Sequence, residues 1–288
     1  MRALERLSKP QYIYRPSQIL RRMRLGDEAE IVVPTPWGCP LLVAQEDTIG
    51  AGIARMGVHE LAVSETMWRL ADPEDLALDV GANVGYFAGL LARRVSEVIA
   101  FEPNPQLYRF IAGNIERWDV ADRVTLDTRA ASDSDGTAVL HLPADFESNY
   151  GIATLEPGAD TISHEVPTVR LDEVIAGRRV GILKLDVEGH ELSVLQGAGG
   201  SLRDGLIRDV FFEDHRPLPT AVSSLLEANG FAINGIEERL SGPVLTPEGH
   251  VPEGWDAPTY LATRDPERAA RLMGRRGWMC LRSARRAG

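Results

Sequence analysis

The chain has 288 residues, 44% of them hydrophobic and 25% charged, which fits one large globular domain, or one domain with a substantial cap, and excludes a disordered or fibrous chain. The formal net charge of −11 is unevenly spread: residues 1–25 and 264–288 carry +6 each, leaving −23 on 26–263. A body that acidic repels a nucleic-acid backbone, so no nucleic acid is expected as partner, and no apolar run approaches the ~18 residues of a membrane span. The basic ends are candidates for contact with an anionic membrane surface or with another copy in a homo-oligomer, unless they are simply solvated helices. "MRALERLSKP" carries charges where a signal peptide would be apolar, so a cytoplasmic protein is expected. Cys39 and Cys280 show no metal spacing and no disulfide framework.

Taken in chain order, residues 1–25 read as a basic helix with a break in "KPQYIYRPSQ". "AEIVVPTPWGCPLLVAQ" sets two apolar runs around a turn, a hairpin signal, and "DTIGAGIARMGVHELAVSETMWRLA" is helical with a break near Gly57. Apolar runs and helices then alternate. "LALDV" precedes helix 85–94, "EVIAFEP" precedes helix 105–118, and "RVTLDTRAA" leads into an insert at 135–166. "GILKLDV" precedes helix 189–204, "IRDVFFED" precedes helix 218–229, and "GFAINGIEE" and "PTYLATR" close the set. This spacing predicts an α/β, doubly wound, Rossmann-like sheet, mostly parallel with an antiparallel C-terminal edge strand. The boundaries are a cap of helices and hairpin over 1–70, a ligand-binding domain over 71–265 and a basic tail over 266–288.

Ligands of such folds bind beyond the carboxyl ends of the strands. There the sequence reads Asp79-x-Gly81-x-x-x-Gly85, not the G-x-G-x-x-G of dinucleotide sites. An aspartate at the strand end would repel a pyrophosphate but suits ammonium and sulfonium charges, as in S-adenosylmethionine. Gly81 and Gly85 admit close backbone approach, and Asn83 is placed to cap the helix and add a polar contact. Glu102 ends the next strand, 23 residues after Asp79, where an acidic side chain can hold both ribose hydroxyls.

The second constellation is "ILKLDVEGHELSVL", with Lys184, Asp186 and Glu188 at alternate positions on one face and His190 at the helix start. Only Lys9 and Lys184 are lysines among 31 basic residues, so Lys184 marks a place where a guanidinium does not fit. The following strand ends "FFEDH", bringing Glu213, Asp214 and His215 alongside, since adjacent strands lie about 4.8 Å apart. If a sulfonium donor bound here passed its methyl to an alcohol, two schemes would fit. In one, His215 or His190 removes the proton, with Lys184 steadying Asp186 or a substrate oxygen. In the other, Asp186 with Glu213 or Asp214 binds Mg²⁺, which lowers the pKa of the hydroxyl. Asn149 and Tyr150 in the insert, with Glu188, are candidates for acceptor contact, and the insert itself for a lid.

"DVGANVGYFAGLLA", "VIAFEPNP", "AASDSDG", "TVRLDEV", "ILKLDVEGHELSVLQGA" and "FFEDH" together resemble the FkbM-type S-adenosylmethionine-dependent methyltransferases of the class I fold, over roughly residues 48–232. Within those segments Tyr86, Asn104 and Ala131 join Asp79, Gly81, Asn83, Gly85, Glu102 and Asp186 in the donor-binding set, and Glu60 is a candidate to reach it from the cap. The resemblance implies O-methylation of a sugar or polyketide-type hydroxyl, the acceptor being a small molecule or carbohydrate. N-methylation of an amino sugar or protein side chain, or a non-catalytic binding module, are the alternatives.

Overall fold

In the computed structural model, which describes residues 9–143, 154–155, 161–247 and 258–282, the cap opens with two short helices, α1 (Pro10–Tyr14) and α2 (Ser17–Met23). They are separated at Arg15 and Pro16, because proline cannot continue a helix and disfavours helical geometry in the residue before it. The expected hairpin follows as β1 (Glu30–Val33) and β2 (Leu41–Ala44), antiparallel with Val33 opposite Leu41. Helix α3 (Thr48–Met56) is capped by Asp47, whose side chain accepts the Gly50 amide at 2.7 Å, and α4 (Leu61–Leu70) runs on from Glu60.

The core strands alternate with helices as expected: β3 (Leu76–Val80), α5 (Tyr86–Ala92), β4 (Glu97–Phe101), α6 (Tyr108–Glu116) and β5 (Val124–Asp127). After the short β6 (Ala130–Ala131) come β7 (Gly136–Pro143), β8 (Thr161–Val169) and α7 (Leu171–Ile175). The chain continues through β9 (Val180–Leu185), α8 (Glu191–Gly197), α9 (Gly199–Arg203), β10 (Ile207–Glu213) and α10 (Ala221–Ala228). It closes with β11 (Ala232–Arg239), β12 (Gly242–Pro247), β13 (Thr259–Thr263) and α11 (Pro266–Met273). The central sheet has eight strands in the order β12-β11-β13-β10-β9-β3-β4-β5. Strands β5, β4, β3, β9 and β10 are mutually parallel, whereas β13 is antiparallel to both β10 and β11.

Two expectations are corrected here. The antiparallel C-terminal strand is not at the edge: β13 inserts between β10 and β11, and the edge is β12, the second arm of a hairpin with β11. Residues 259–263 are the apolar run Thr-Tyr-Leu-Ala-Thr, almost wholly buried, and such a run needs a neighbour on each side. The insert at 135–166 is no simple loop. Its described parts are two arms, β7 and β8, paired antiparallel from Gly136 opposite Thr168 to Pro143 opposite Thr161, with β6 completing a three-stranded sheet. Leu140, Leu142 and Val166 turn inward from it.

The two faces of the central sheet carry separate apolar layers, because successive strand residues point to opposite sides. Leu78, Val80, Leu183 and Phe212 pack under α7, α8 and α10. Ala77, Ile182 and Phe211 pack with α5, the cap and the tail in one continuous cluster that runs from Val33 to Leu281. The tail is therefore built into this layer. Trp278 is fully buried, and the Arg69 guanidinium donates to the carbonyls of Met273, Arg275 and Gly277 at 3.0, 2.6 and 2.5 Å. Asp79, Lys184 and Glu213 share strand parity with Ala77, Ile182 and Phe211, so they lie at the carboxyl end on the cap side.

Candidate active site

Strand β3 ends in a turn that only glycine permits. Gly81 has φ +80°, and a Cβ there would lie 1.8 Å from the Asp186 carbonyl oxygen. The loop thus presses directly on the end of β9. The Gly81 and Ala82 amides donate to the Phe101 carbonyl at 3.1 and 2.9 Å, tying the same loop to β4. One residue further, Asn83 donates its amide to Glu102 Oε2 at 2.7 Å, and the Asn104 amide donates to Glu102 Oε1 at 2.9 Å. Two backbone amides therefore hold Glu102 in place. Its burial outweighs those bonds and pushes its pKa up to about 7.

Loop, β4 terminus and small sheet enclose a cleft of about 930 Å³, open mouth included. Gly81, Asn83, Tyr86, Glu102 and Ala131 line it, and Lys184, Asp186, Glu188 and His190 line its other end. Phe101, Leu107, Ala130, Leu140 and Leu155 give it an apolar wall. The sequence reading missed these residues. The usable signal was the alternation around Leu140 and Leu142, which marks β7 as a strand with one buried face. Tyr86 is buried, accepts the His59 amide at 2.8 Å and donates to the His59 carbonyl at 2.9 Å, which fixes the cap against the cleft. His190 is held through Nε2 to the Ser132 hydroxyl at 2.9 Å.

Beneath the loop lies the lysine that the sequence singled out. Lys184 Nζ donates to the Gly81 carbonyl and to Asp186 Oδ2, each at 3.1 Å, stands 3.6 Å from Asp79 Oδ1 and 5.0 Å from the centre of the Phe87 ring. Burial opposes its charge, but Asp186, Asp79 and Glu60 more than compensate and raise its pKa. A compact ammonium fits between strand, loop carbonyl and aromatic face; a planar guanidinium is too broad for that space. Asp79 is fully buried, with Lys184 as its ion-pair partner. Burial raises its pKa and Lys184 opposes the rise.

Asp186 and Glu188 also line a second cavity, with Glu213, Asp214, His215 and Arg216. Burial and then the Asp186, Glu60 and Glu188 carboxylates push Glu213 up to about 9. Burial, with Asp186 and Glu191, pushes Glu188 up to about 7. Carboxyl groups are therefore crowded at the junction of the two cavities, and the crowding favours their protonated forms. Left-handed backbone occurs at Glu188 of this junction, at Asn83 of the cleft lining and at Glu60 next to His59, with φ of +50°, +52° and +39°; among the described residues Ala176 alone shares that region outside glycine.

Several expected placements change. Asp79 does not line the cleft, since it lies under the loop beside Lys184. Gly85 faces Trp118 and Ile111, and Asn104 is buried behind Glu102. His215 has a side chain 73% exposed at the rim of the second cavity, 3.7 Å from Glu213, whereas His190 lines the first. Glu60 sits at the N-terminus of α4 with its Oε1 3.7 Å from His59 Nε2. The structure does not assemble Asp186, Glu213 and Asp214 into a Mg²⁺ site. Asp186 is turned onto Lys184 and Asp214 accepts from Arg216, and no group of three or more His, Cys, Asp or Glu able to hold a metal occurs among the described residues. Asn149 and Tyr150 lie outside the described residues.

The parallel core with one antiparallel strand inserted beside its last parallel member, and a glycine loop next to a strand-terminal Glu102, defines the class I methyltransferase fold. The methyltransferase FkbM domain family matches residues 79–233, more than half of the chain, and the chain belongs to that family. It is 30% identical over 160 residues to the hexuronic acid methyltransferase AglP of Haloferax volcanii, covering 54% of this chain and 63% of that protein. It is 28% identical over 190 residues to methyltransferase sdnD of Sordaria araneosa, covering 54% and 73%. To the 31-O-demethyl-FK506 methyltransferase FkbM of Streptomyces tacrolimicus it is 31% identical over 159 residues, covering 43% and 60%. The chain thus spans under two thirds of the length of the first and third of these relatives.

Proposed function

We propose that the protein transfers the methyl group of S-adenosylmethionine to a hydroxyl of a sugar or a polyketide-type natural product. The observation that carries this reading is the run of carboxylates from Glu102, at the cleft floor, to Asp186 at its junction with the acidic cavity. The residues present fit the donor. Glu102 keeps a lone pair on each oxygen for the ribose hydroxyls, the buried Asn83 Oδ1 has no partner among the described residues, and the apolar wall suits a nucleobase. When bound, the donor supplies an electrophilic methyl on a sulfonium. Asp186, fixed by Lys184, offers negative charge beside that site, and the second cavity admits the acceptor from the Glu213 side.

An alcohol needs its proton removed as it attacks. Glu213, proton-bearing at neutral pH in the free protein, ionises more readily beside a cation and then is the base that receives the hydroxyl proton. His215, at the rim, passes that proton to solvent. The printed names of the relatives support acceptors of this class: one acts on a hexuronic acid and one on a demethyl form of FK506. The acidic cavity equally attracts an ammonium, so N-methylation of an amino sugar is the second reading.

The test is calorimetric titration with S-adenosylmethionine against NAD as control, then product analysis on glycosides, amino sugars and macrolides. The reading expects donor binding and a methyl ether. Absent donor binding would overturn it, and a methylated amine would favour the second reading. Asp186→Asn and Glu213→Gln should bind donor yet lose turnover about 100-fold or more.

A further inference from the structure

Seven large apolar side chains are exposed among the described residues, and four of them belong to α1, α2 and β1: Ile13 at 50%, Leu20 at 58%, Met23 at 78% and Val32 at 50%. Leu20 and Val32 line one groove together with Arg21 and Arg24, and Met23 stands one turn from Leu20 on α2. Residues 9–25 contain Lys9 and four arginines and no acidic residue. The C-terminal end adds to this cluster, because the Arg282 guanidinium lies over the Tyr14 ring at 5.2 Å from its centre. Arg282 thus adds a cation beside α1; Glu28 lines the groove and, with Asp27 and Glu30, offsets part of the positive charge.

We propose that the face formed by α1, α2 and β1 docks on an anionic lipid bilayer. The chemistry separates this occupant from a protein one. Charge complementarity carries the choice: Arg21 and Arg24 line the groove with the aliphatic tips of Leu20 and Val32, and Lys9 and Arg24 are exposed. At a bilayer surface those tips reach past the headgroups while the arginines meet phosphate oxygens. No described helix is long and apolar enough to cross a membrane, so the attachment is superficial. The face is also joined to the cleft: Gln18 Nε2 donates to the Arg55 carbonyl at 3.2 Å, and α3, which carries Arg55, leads directly to His59 at the cleft wall.

The experiment is co-sedimentation of the full chain with vesicles of phosphatidylcholine alone and of phosphatidylcholine mixed with phosphatidylserine. The proposal expects pelleting with the mixed vesicles only, weakened by salt. Arg24→Glu should lower the partition coefficient about fivefold or more, and Leu20→Ser with Met23→Ser about tenfold or more. Because all three side chains are exposed, the unfolding midpoint should not move. No pelleting, equal pelleting with neutral vesicles, or variants that sediment like the parent overturn the proposal. A dimer in solution that the same variants dissociate, without vesicle binding, also overturns it and assigns the face to a second copy.

Discussion

Glu102 and Lys184 do different work with similar means. Glu102 is buried at the cleft floor, fixed by the Asn83 and Asn104 amides, and keeps lone pairs for a ligand. Its replacement by alanine should weaken S-adenosylmethionine binding about 10- to 100-fold in calorimetry, the loss of charge-assisted hydrogen bonds. Lys184 faces inward, and its removal strands Asp79 at a fully buried position where no other cation among the described residues lies within ion-pair distance. Lys184→Met should cost about 3–5 kcal/mol in denaturant unfolding. Asp79→Asn added to it should recover most of that loss, since the double variant leaves no buried charge; additive losses would show that the two residues act independently. The same geometry moves Asp79 from ligand contact, where its place in the motif puts it, to support of the lysine that steadies Asp186.

Among the elements, the β3–α5 loop and the end of β9 are one unit. Gly81 rests on the Asp186 carbonyl and its own carbonyl accepts from Lys184, so the loop and the Asp186 carboxylate are positioned together. Gly81→Ala should abolish donor binding and lower the thermal midpoint by several degrees, because the added methyl forces β3 and β9 apart at the cleft. Melting curves with and without donor would show both effects. A second close approach breaks the helix expected over 189–204. At Gly197 a Cβ would meet the Ser132 carbonyl at 1.9 Å, and the chain is divided there into α8 and α9. This contact keeps Ser132 beside His190.

Over the whole molecule, crowded carboxylates set the pH response. Glu102 and Glu188 are held near 7 and Glu213 near 9, against an ordinary 4.5, so the folded state binds more protons than the unfolded chain between about pH 4.5 and 9. Stability of the free protein should therefore fall as pH rises through that window, and the cationic donor should flatten the fall. Thermal midpoints measured from about pH 5 to about pH 9 would check the sign. Tail and cap also act at this scale: Trp278→Ala should cost about 3–5 kcal/mol, since it empties a fully buried site shared by both. The order of strands and helices, the glycine loop after β3, the strand-terminal place of Glu102 and the interior place of Lys184 were legible in the sequence, because apolar period and turn chemistry are local properties. The partners were not. That Lys184 neutralises Asp79, that β13 inserts beside β10, that β7 and β8 wall the cleft and that Arg282 reaches Tyr14 all depend on residues distant along the chain. Only the packing of the folded sheet brings those residues within the few ångströms over which charge and shape decide.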